Sequence, residues 1–423
     1  MQKKTLNFRL ILVCIAAASV GLPIAIISIA KVLLLTAGIA LLVLHRGSEE
    51  ADALSKKTVW TQIAIGLALA TFCLSLIWTS APLNEALGSL SKYGKLLLIP
   101  LIFALIKDRR EALYALGIFA LFQLFLVISS WMLFLSFPVP WATAPSNARI
   151  GNAVFSSYLD QGIMAAILAG LSWHFRSLVP GVYGRSIAIS VAVIALLNVF
   201  FVLIGRSGHV VAIALISLAI MWELPKRYRL AILFVPLILV ISISLVSPKV
   251  RDRISDVKSE LQGFTFTEGA SVVSGTSSGI RLHFWHRAIQ SMAERPILGS
   301  GVGSWSSEFN RLEKKNSLTP NAIEPMGNPH QEYLLWGVQL GLTGILLLLA
   351  FLVSVFHDTL KMDVMTARAV QSVLAALTIA CLFNSIIYDA LIGDFFCVTL
   401  GLLLALGSHR VEKLQSDEKL IAA

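Results

Sequence analysis

Residues 332–356 read EYLLWGVQLGLTGILLLLAFLVSVF, and this stretch decides the fold class. Glu332 is its only charged residue, and at about 1.5 Å of rise per residue a helix of this length exceeds the roughly 30 Å of a bilayer's hydrocarbon core. Nothing in that core replaces water for the backbone, so the run predicts a transmembrane helix. Working outward, comparable apolar runs recur at 8–22, 24–44, 59–78, 92–106, 111–135, 155–173, 185–204, 207–222, 229–247, 367–386 and 390–407. Together they make about twelve spans and predict an all-α polytopic membrane protein. The composition points the same way, with 57% hydrophobic and 14% charged residues and a mean hydropathy of +0.80, against about 45–50% and 25% in soluble domains. A cytosolic enzyme, a nucleic-acid binder, a disulfide scaffold and a disordered chain are excluded.

Charge placement sets orientation. With a cytoplasmic N-terminus, the inner loops hold 19 of the 34 Lys and Arg, and the short outer loops hold four: Lys92, Lys95, Arg149 and Arg206. That asymmetry follows the positive-inside rule and predicts that both termini are cytoplasmic. Ten more basic residues lie in one long outer segment, 248–330, and long segments translocate largely regardless of charge. The expected organisation is 1–247 for helices one to nine, 248–330 for an outer loop domain, 331–408 for helices ten to twelve and 409–423 for an inner tail. Lys31, inside the second span, either snorkels or faces the bundle interior. Lys3 and Lys4 before an apolar run also resemble a signal peptide, but no small-residue cleavage site with a polar start follows, so the run is read as a retained span. Cys14, Cys73, Cys381 and Cys397 all fall in expected spans and read as small apolar residues without a disulfide. No cluster has metal-ligand spacing, so no metal is expected.

The outer segment is where chemistry is expected, because structureless loops of that length are uncommon. Val250, Ile254, Val257 and Leu261 recur at helical spacing and predict an amphipathic helix on the membrane surface. A flexible Gly/Ser/Thr-rich stretch follows, from Gly263 to Gly279. Leu282, Trp285, Ile289 and Met292 then form an apolar stripe on a helix that opens at Arg281 and ends at Pro296. Gly299-Ser-Gly-Val-Gly-Ser-Trp305 reads as a turn, since the Gly-Lys-Ser/Thr of a phosphate cradle is absent. Trp305 suits a membrane interface or a sugar-stacking platform.

The sharpest local signal is Asn328-Pro-His-Gln-Glu-Tyr333. Asn328 suits an N-cap, Pro329 the first helical position, and Gln331 or Glu332 a side chain folding back to the cap, which places His330 in the first turn of the tenth span. The bland reading is an interfacial ring bonded to a loop carbonyl. Ile204-Gly-Arg-Ser-Gly-His209 sets Arg206 in a tight outer turn allowed by Gly205 and Gly208; alone, that arginine reads as a snorkelling residue. As a set, Arg206, Arg281 and His330 are chemically coherent. Guanidinium groups grip pyrophosphate in bidentate fashion, and a neutral histidine takes a proton from an attacking hydroxyl.

The Gly205-Arg206-Ser-Gly208 turn, Arg281-Leu-His-Phe-Trp285-His-Arg-Ala-Ile289 with Pro296-Ile-Leu-Gly-Ser-Gly301, and Pro329-His330-Gln-Glu-Tyr-Leu334 before Leu340-Gly-Leu-Thr-Gly344 resemble the O-antigen ligase and polymerase superfamily. The likeness in motifs is confined to roughly 200–345, and Gln331 stands where many relatives carry Asn. The resemblance implies a GT-C-like glycosyltransferase of the bacterial inner membrane that moves a glycan from undecaprenyl pyrophosphate to an acceptor hydroxyl on the periplasmic side. In the ligase branch that acceptor is a sugar of the lipid A core. It also implies pyrophosphate binding by Arg206 and Arg281, with Arg287 competing for the second role, and catalysis by His330. No cofactor and no nucleic-acid partner are expected; donor, acceptor and membrane lipids are the partners. Asp389, in the turn between the last two spans, is placed to orient His330 or hold an acceptor sugar, and Arg149 to bind core phosphates or headgroups. The competing readings are an O-antigen polymerase, a protein O-oligosaccharyltransferase and, from another class, a secondary transporter.

Overall fold

A computed structural model describes residues 2–44, 60–225, 227–229, 234–247, 255, 277–316 and 327–421, and every regular element among them is helical. In chain order these are α1 (Gln2–Ser19), α2 (Ile24–Leu44), α3 (Trp60–Leu74), α4 (Leu83–Tyr93), α5 (Leu98–Leu105), α6 (Arg109–Phe134), α7 (Ser146–Ile150) and α8 (Tyr158–His174). They continue with α9 (Gly184–Leu197), α10 (Arg206–Glu223), α11 (Val235–Val246), α12 (Ser277–Glu294), α13 (Trp305–Asn316), α14 (Glu332–Thr359), α15 (Val364–Ala380) and α16 (Ala390–Ile421). A helix stands at each expected span, and eight stretches are long and apolar enough to cross a membrane: Ile24–Leu44, Trp60–Ile77, Leu83–Leu105, Arg109–Phe134, Gly184–Val202, Arg206–Glu223, Glu332–Thr359 and Ala390–Ser408. The apolar parts of α1, α11 and α15 are shorter. The amphipathic strip expected at 250–261 lies outside the described residues.

Three boundaries differ from the sequence reading. The fourth span begins at Leu83 rather than 92, so Lys92 and Lys95 sit within helical structure and not in a loop. Lys95 is buried because its ammonium finds the carbonyls of Tyr388, Asp389 and Ala390 at 3.4, 2.5 and 3.4 Å. The eleventh span stops at Ala380, not 386, which puts Cys381 and Asn384 in the turn before α16. And α16 runs through the expected tail boundary at 408 without a break.

The bundle is built around α16. Its Ala390–Ser408 portion is 94% buried, against 22% for the comparable window of α2, and it packs on α5, α6 and α15. Outer helices show the reverse pattern, with Ile29, Leu121, Leu346 and Val353 exposed as a lipid-facing surface requires. Lys31 faces the interior, its ammonium 2.7 Å from Asp394 of α16. Pairing makes that burial tolerable, as an isolated charge in hydrocarbon is costly.

At one end of the bundle, α12 and α13 form a cap with Phe284, Trp305 and Phe309 as its core. The cap is keyed into a break in α14. Gly341 has φ 63° and ψ −150°, and the carbonyls of Val338 and Gln339 accept from the N–H groups of Ser300 and Gly301, both at 2.8 Å. On the far side of the break, Leu342 donates to the carbonyl of Pro296 at 2.7 Å. The Gly299–Gly303 run is therefore a turn, as its sequence predicts, and its amides are already taken; Val302 and Gly303 donate to Ser75 Oγ and Gln339 Oε1 at 3.0 and 3.2 Å. The segment between α3 and α4 clasps the same loop through Ser80 N–H to Ser300 O at 2.8 Å and Thr79 Oγ1 to Val302 O at 2.7 Å.

Candidate active site

The site is assembled where the cap meets α14, α10 and the 381–389 turn. His330 is not in the first helical turn. It lies just before the N-cap of α14, in the left-handed region with φ 53°. Gln331 is the cap, its side chain accepting from Leu334 N–H, and this gives the amide position a purpose. Asn328, expected to cap, instead accepts the His330 N–H on Oδ1 at 2.8 Å, which holds the unusual backbone. The ring is fixed at Nδ1 by Asn384 Oδ1 at 2.9 Å and stacks on Phe284, centroids 6.4 Å apart.

Asp389 sits behind the histidine, not beside it. Its Oδ2 accepts from Asn384 Nδ2 at 2.9 Å and its Oδ1 from Asn328 Nδ2 at 3.1 Å. Burial pushes the Asp389 carboxyl above its ordinary value; the charges of His330, Lys95 and Lys92 and the Asn384 hydrogen bond pull the other way. The turn itself is held by a carboxylate whose role the sequence does not announce. Glu332 is fully buried, with Oε2 accepting from the N–H groups of Ile387 and Tyr388 at 2.8 and 3.3 Å and Oε1 from Trp336 Nε1 at 2.7 Å. Lys95 grips the same turn through its carbonyls, and Lys92 lies over the Tyr388 ring at 4.0 Å.

Helix α12 connects the histidine to the arginines. Ser278, Arg281 and Trp285 share one stripe of it, spanning about 10 Å along the axis. At its start Ser278 Oγ accepts from Arg206 Nη1 at 3.2 Å; at its end Trp285 Nε1 donates to Pro329 O at 3.1 Å, next to His330. Arg281 is between these contacts, partly exposed. Arg206 is the first residue of α10 with Gly205 as cap. The flanking glycines do not serve a tight turn, since Gly205 has an ordinary φ of −78°. They permit close approach: a Cβ on Gly208 lies 2.9 Å from the backbone of Gly162 in α8, and one on Gly205 lies 2.9 Å from the carbonyl of Tyr158.

Three expected candidates are placed elsewhere. Arg287 is buried on another face of α12, 2.6 Å from Glu313 of α13, where His283 also meets Glu313 at 2.8 Å. That pairing lets α12 bury His283, Phe284, Arg287 and Ala288, while Ile289 of the expected apolar stripe is 56% exposed. Trp305 is a core residue, 2% exposed and packed on Phe284 and Phe309, so it serves neither a membrane interface nor sugar stacking. Arg149 spends its guanidinium locally, on the carbonyls of Ala144 and Ala142 at 2.8 and 2.7 Å. Conversely, Asn384 was hidden inside an expected span, and a polar residue there is the signal that marks it.

Residues 191–349, which hold Arg206, Arg281 and His330, match the family model described as O-antigen ligase. No curated protein matches the chain. Over residues 191–349, together with a helical bundle of apolar spans, the chain is therefore similar to the O-antigen ligase family.

Proposed function

We propose that the protein is a glycosyltransferase that moves O-antigen polysaccharide from undecaprenyl pyrophosphate to a sugar hydroxyl of the lipid A core, on the periplasmic side of the bacterial inner membrane. The observation that carries this reading is the single helix α12, which touches Arg206 through Ser278 and the His330 loop through Trp285, with Arg281 between. His330 is the base, and Arg206 and Arg281 are the clamps on the pyrophosphate. The pyrophosphate departs without being protonated, so two guanidiniums holding its developing charge replace a general acid. Only the acceptor hydroxyl needs a base. Its proton goes to His330, its oxygen bonds to the anomeric carbon, and the bond to the pyrophosphate breaks with the electron pair leaving on phosphate. Attack opposite the leaving group inverts the anomeric configuration, and no step calls for a divalent metal.

The test is deletion of the gene in a host that makes O-antigen, with complementation by wild type and by His330→Ala. Bare core with accumulated lipid-linked polymer, rescued by wild type alone, is the expected result. In vitro His330→Ala should lose about 10²-fold or more in rate, and Arg206→Lys should not restore Arg206→Ala, since lysine cannot fork onto two phosphate oxygens. Activity should persist in excess chelator. Core carrying a single repeat points instead to a polymerase, and unchanged lipopolysaccharide with an active protein returns the protein glycosyltransferase and transporter readings.

A further inference from the structure

We infer that Asn384 is a positioning residue that couples Asp389 to His330 and fixes which ring nitrogen takes the proton, an inference that rests on His330 being the base. The two ends of the Asn384 amide are not interchangeable here. Its Nδ2 donates to Asp389 Oδ2 at 2.9 Å, and a carboxylate can only accept. Its Oδ1 is therefore the end that meets His330 Nδ1 at 2.9 Å. An amide oxygen has no proton to give, so Nδ1 carries the hydrogen and, in the neutral ring, Nε2 carries the lone pair.

Asn328 closes the arrangement from the other side, with Nδ2 on Asp389 Oδ1 and Oδ1 on the His330 N–H. One carboxylate thus orients two amides, and the two amides hold one histidine by its ring and by its main chain. When Nε2 takes the acceptor's proton, positive charge appears on the ring and the Nδ1–H bond to Asn384 strengthens. The amide passes that polarisation to Asp389. No proton leaves Nδ1, and Asp389 stabilises the imidazolium from one amide away.

The experiment uses full-length protein in proteoliposomes, with O-antigen on undecaprenyl pyrophosphate as donor and lipid A core as acceptor, and reads rate against pH. Asn384→Ala should lower kcat about 10- to 100-fold with donor KM little changed. Asn384→Asp is isosteric and carries the test should the alanine variant fail to fold. Made together with Asp389→Asn, which returns an amide donor to the far oxygen, it sets a carboxylate directly on Nδ1, so the double variant should recover part of the rate and move the acid limb of kcat/KM up by about one pH unit. The other charged groups around the turn, Glu332 of α14, Lys92 and Lys95 of the fourth span and Asp160 of α8, are common to all variants. Wild-type kcat in Asn384→Ala, or an unmoved acid limb in the Asn384→Asp, Asp389→Asn double variant, overturns the inference. Wild-type activity in His330→Ala overturns the base reading instead, so the two fail separately.

Discussion

Asp389 is pulled between two requirements. Its two amide partners need the lone pairs of a carboxylate, yet burial raises its pKa. Protonation removes one acceptor site and loosens Asn328 or Asn384, which weakens the hold on His330 and adds to the acid-side loss of activity that protonation of the base itself imposes. Stability runs the opposite way. A folded-state pKa above the unfolded one means that the native state holds the proton more tightly. The group's contribution to stability is then fully present below the unfolded pKa and is lost as pH rises through the folded pKa. Asp389→Asn does not titrate, so its Tm relative to wild type should climb as pH rises from acid to neutral, whatever constant offset its altered hydrogen bonds impose. A Tm difference that is flat with pH would show that this carboxyl is not perturbed by folding.

At the level of the element, Arg206 is only as well placed as the seam between α8 and α10. Gly208 and Gly162 meet backbone to backbone, so Gly208→Val drives its Cβ into main chain that has no rotamer with which to yield. Overpacking of this kind costs about 1–3 kcal/mol, and the displaced α10 takes Arg206 away from Ser278; donor KM should rise together with a lowered Tm. Gly88→Ala in α4 is the control. It meets no atom within 4 Å and should be neutral or stabilising by about 0.5–1 kcal/mol. The purpose of these glycines was not legible in the sequence. Gly205-Arg-Ser-Gly208 looks the same whether it turns a chain or lets two helices touch, and only the partner helix distinguishes the two. The same limit hid Glu332, whose acceptor contacts lie at Ile387 and Tyr388, far along the chain.

Across the whole molecule, the fold class was readable because crossing a bilayer depends on local length and apolarity, whereas the one helix that meets both Arg206 and the His330 loop was not, because those contacts join residues far apart in the chain. Trp305 was misread for a physical reason. Its environment is made by α12, and α12 buries a charged flank only because Glu313 supplies the partner. If Trp305 is core, Trp305→Phe should retain activity while Trp305→Ala costs about 3–5 kcal/mol and lowers Tm sharply; loss of activity in the phenylalanine variant at unchanged Tm would point to a substrate-contacting role. The interrupted helix α14 carries one more consequence, for how the protein is made. Its break at Gly341 leaves carbonyls that hydrocarbon cannot satisfy, and the amides that satisfy them come from residues 300 and 301. Synthesis proceeds from the N-terminus, so the plug is translated before its socket and is at hand when the broken helix is made.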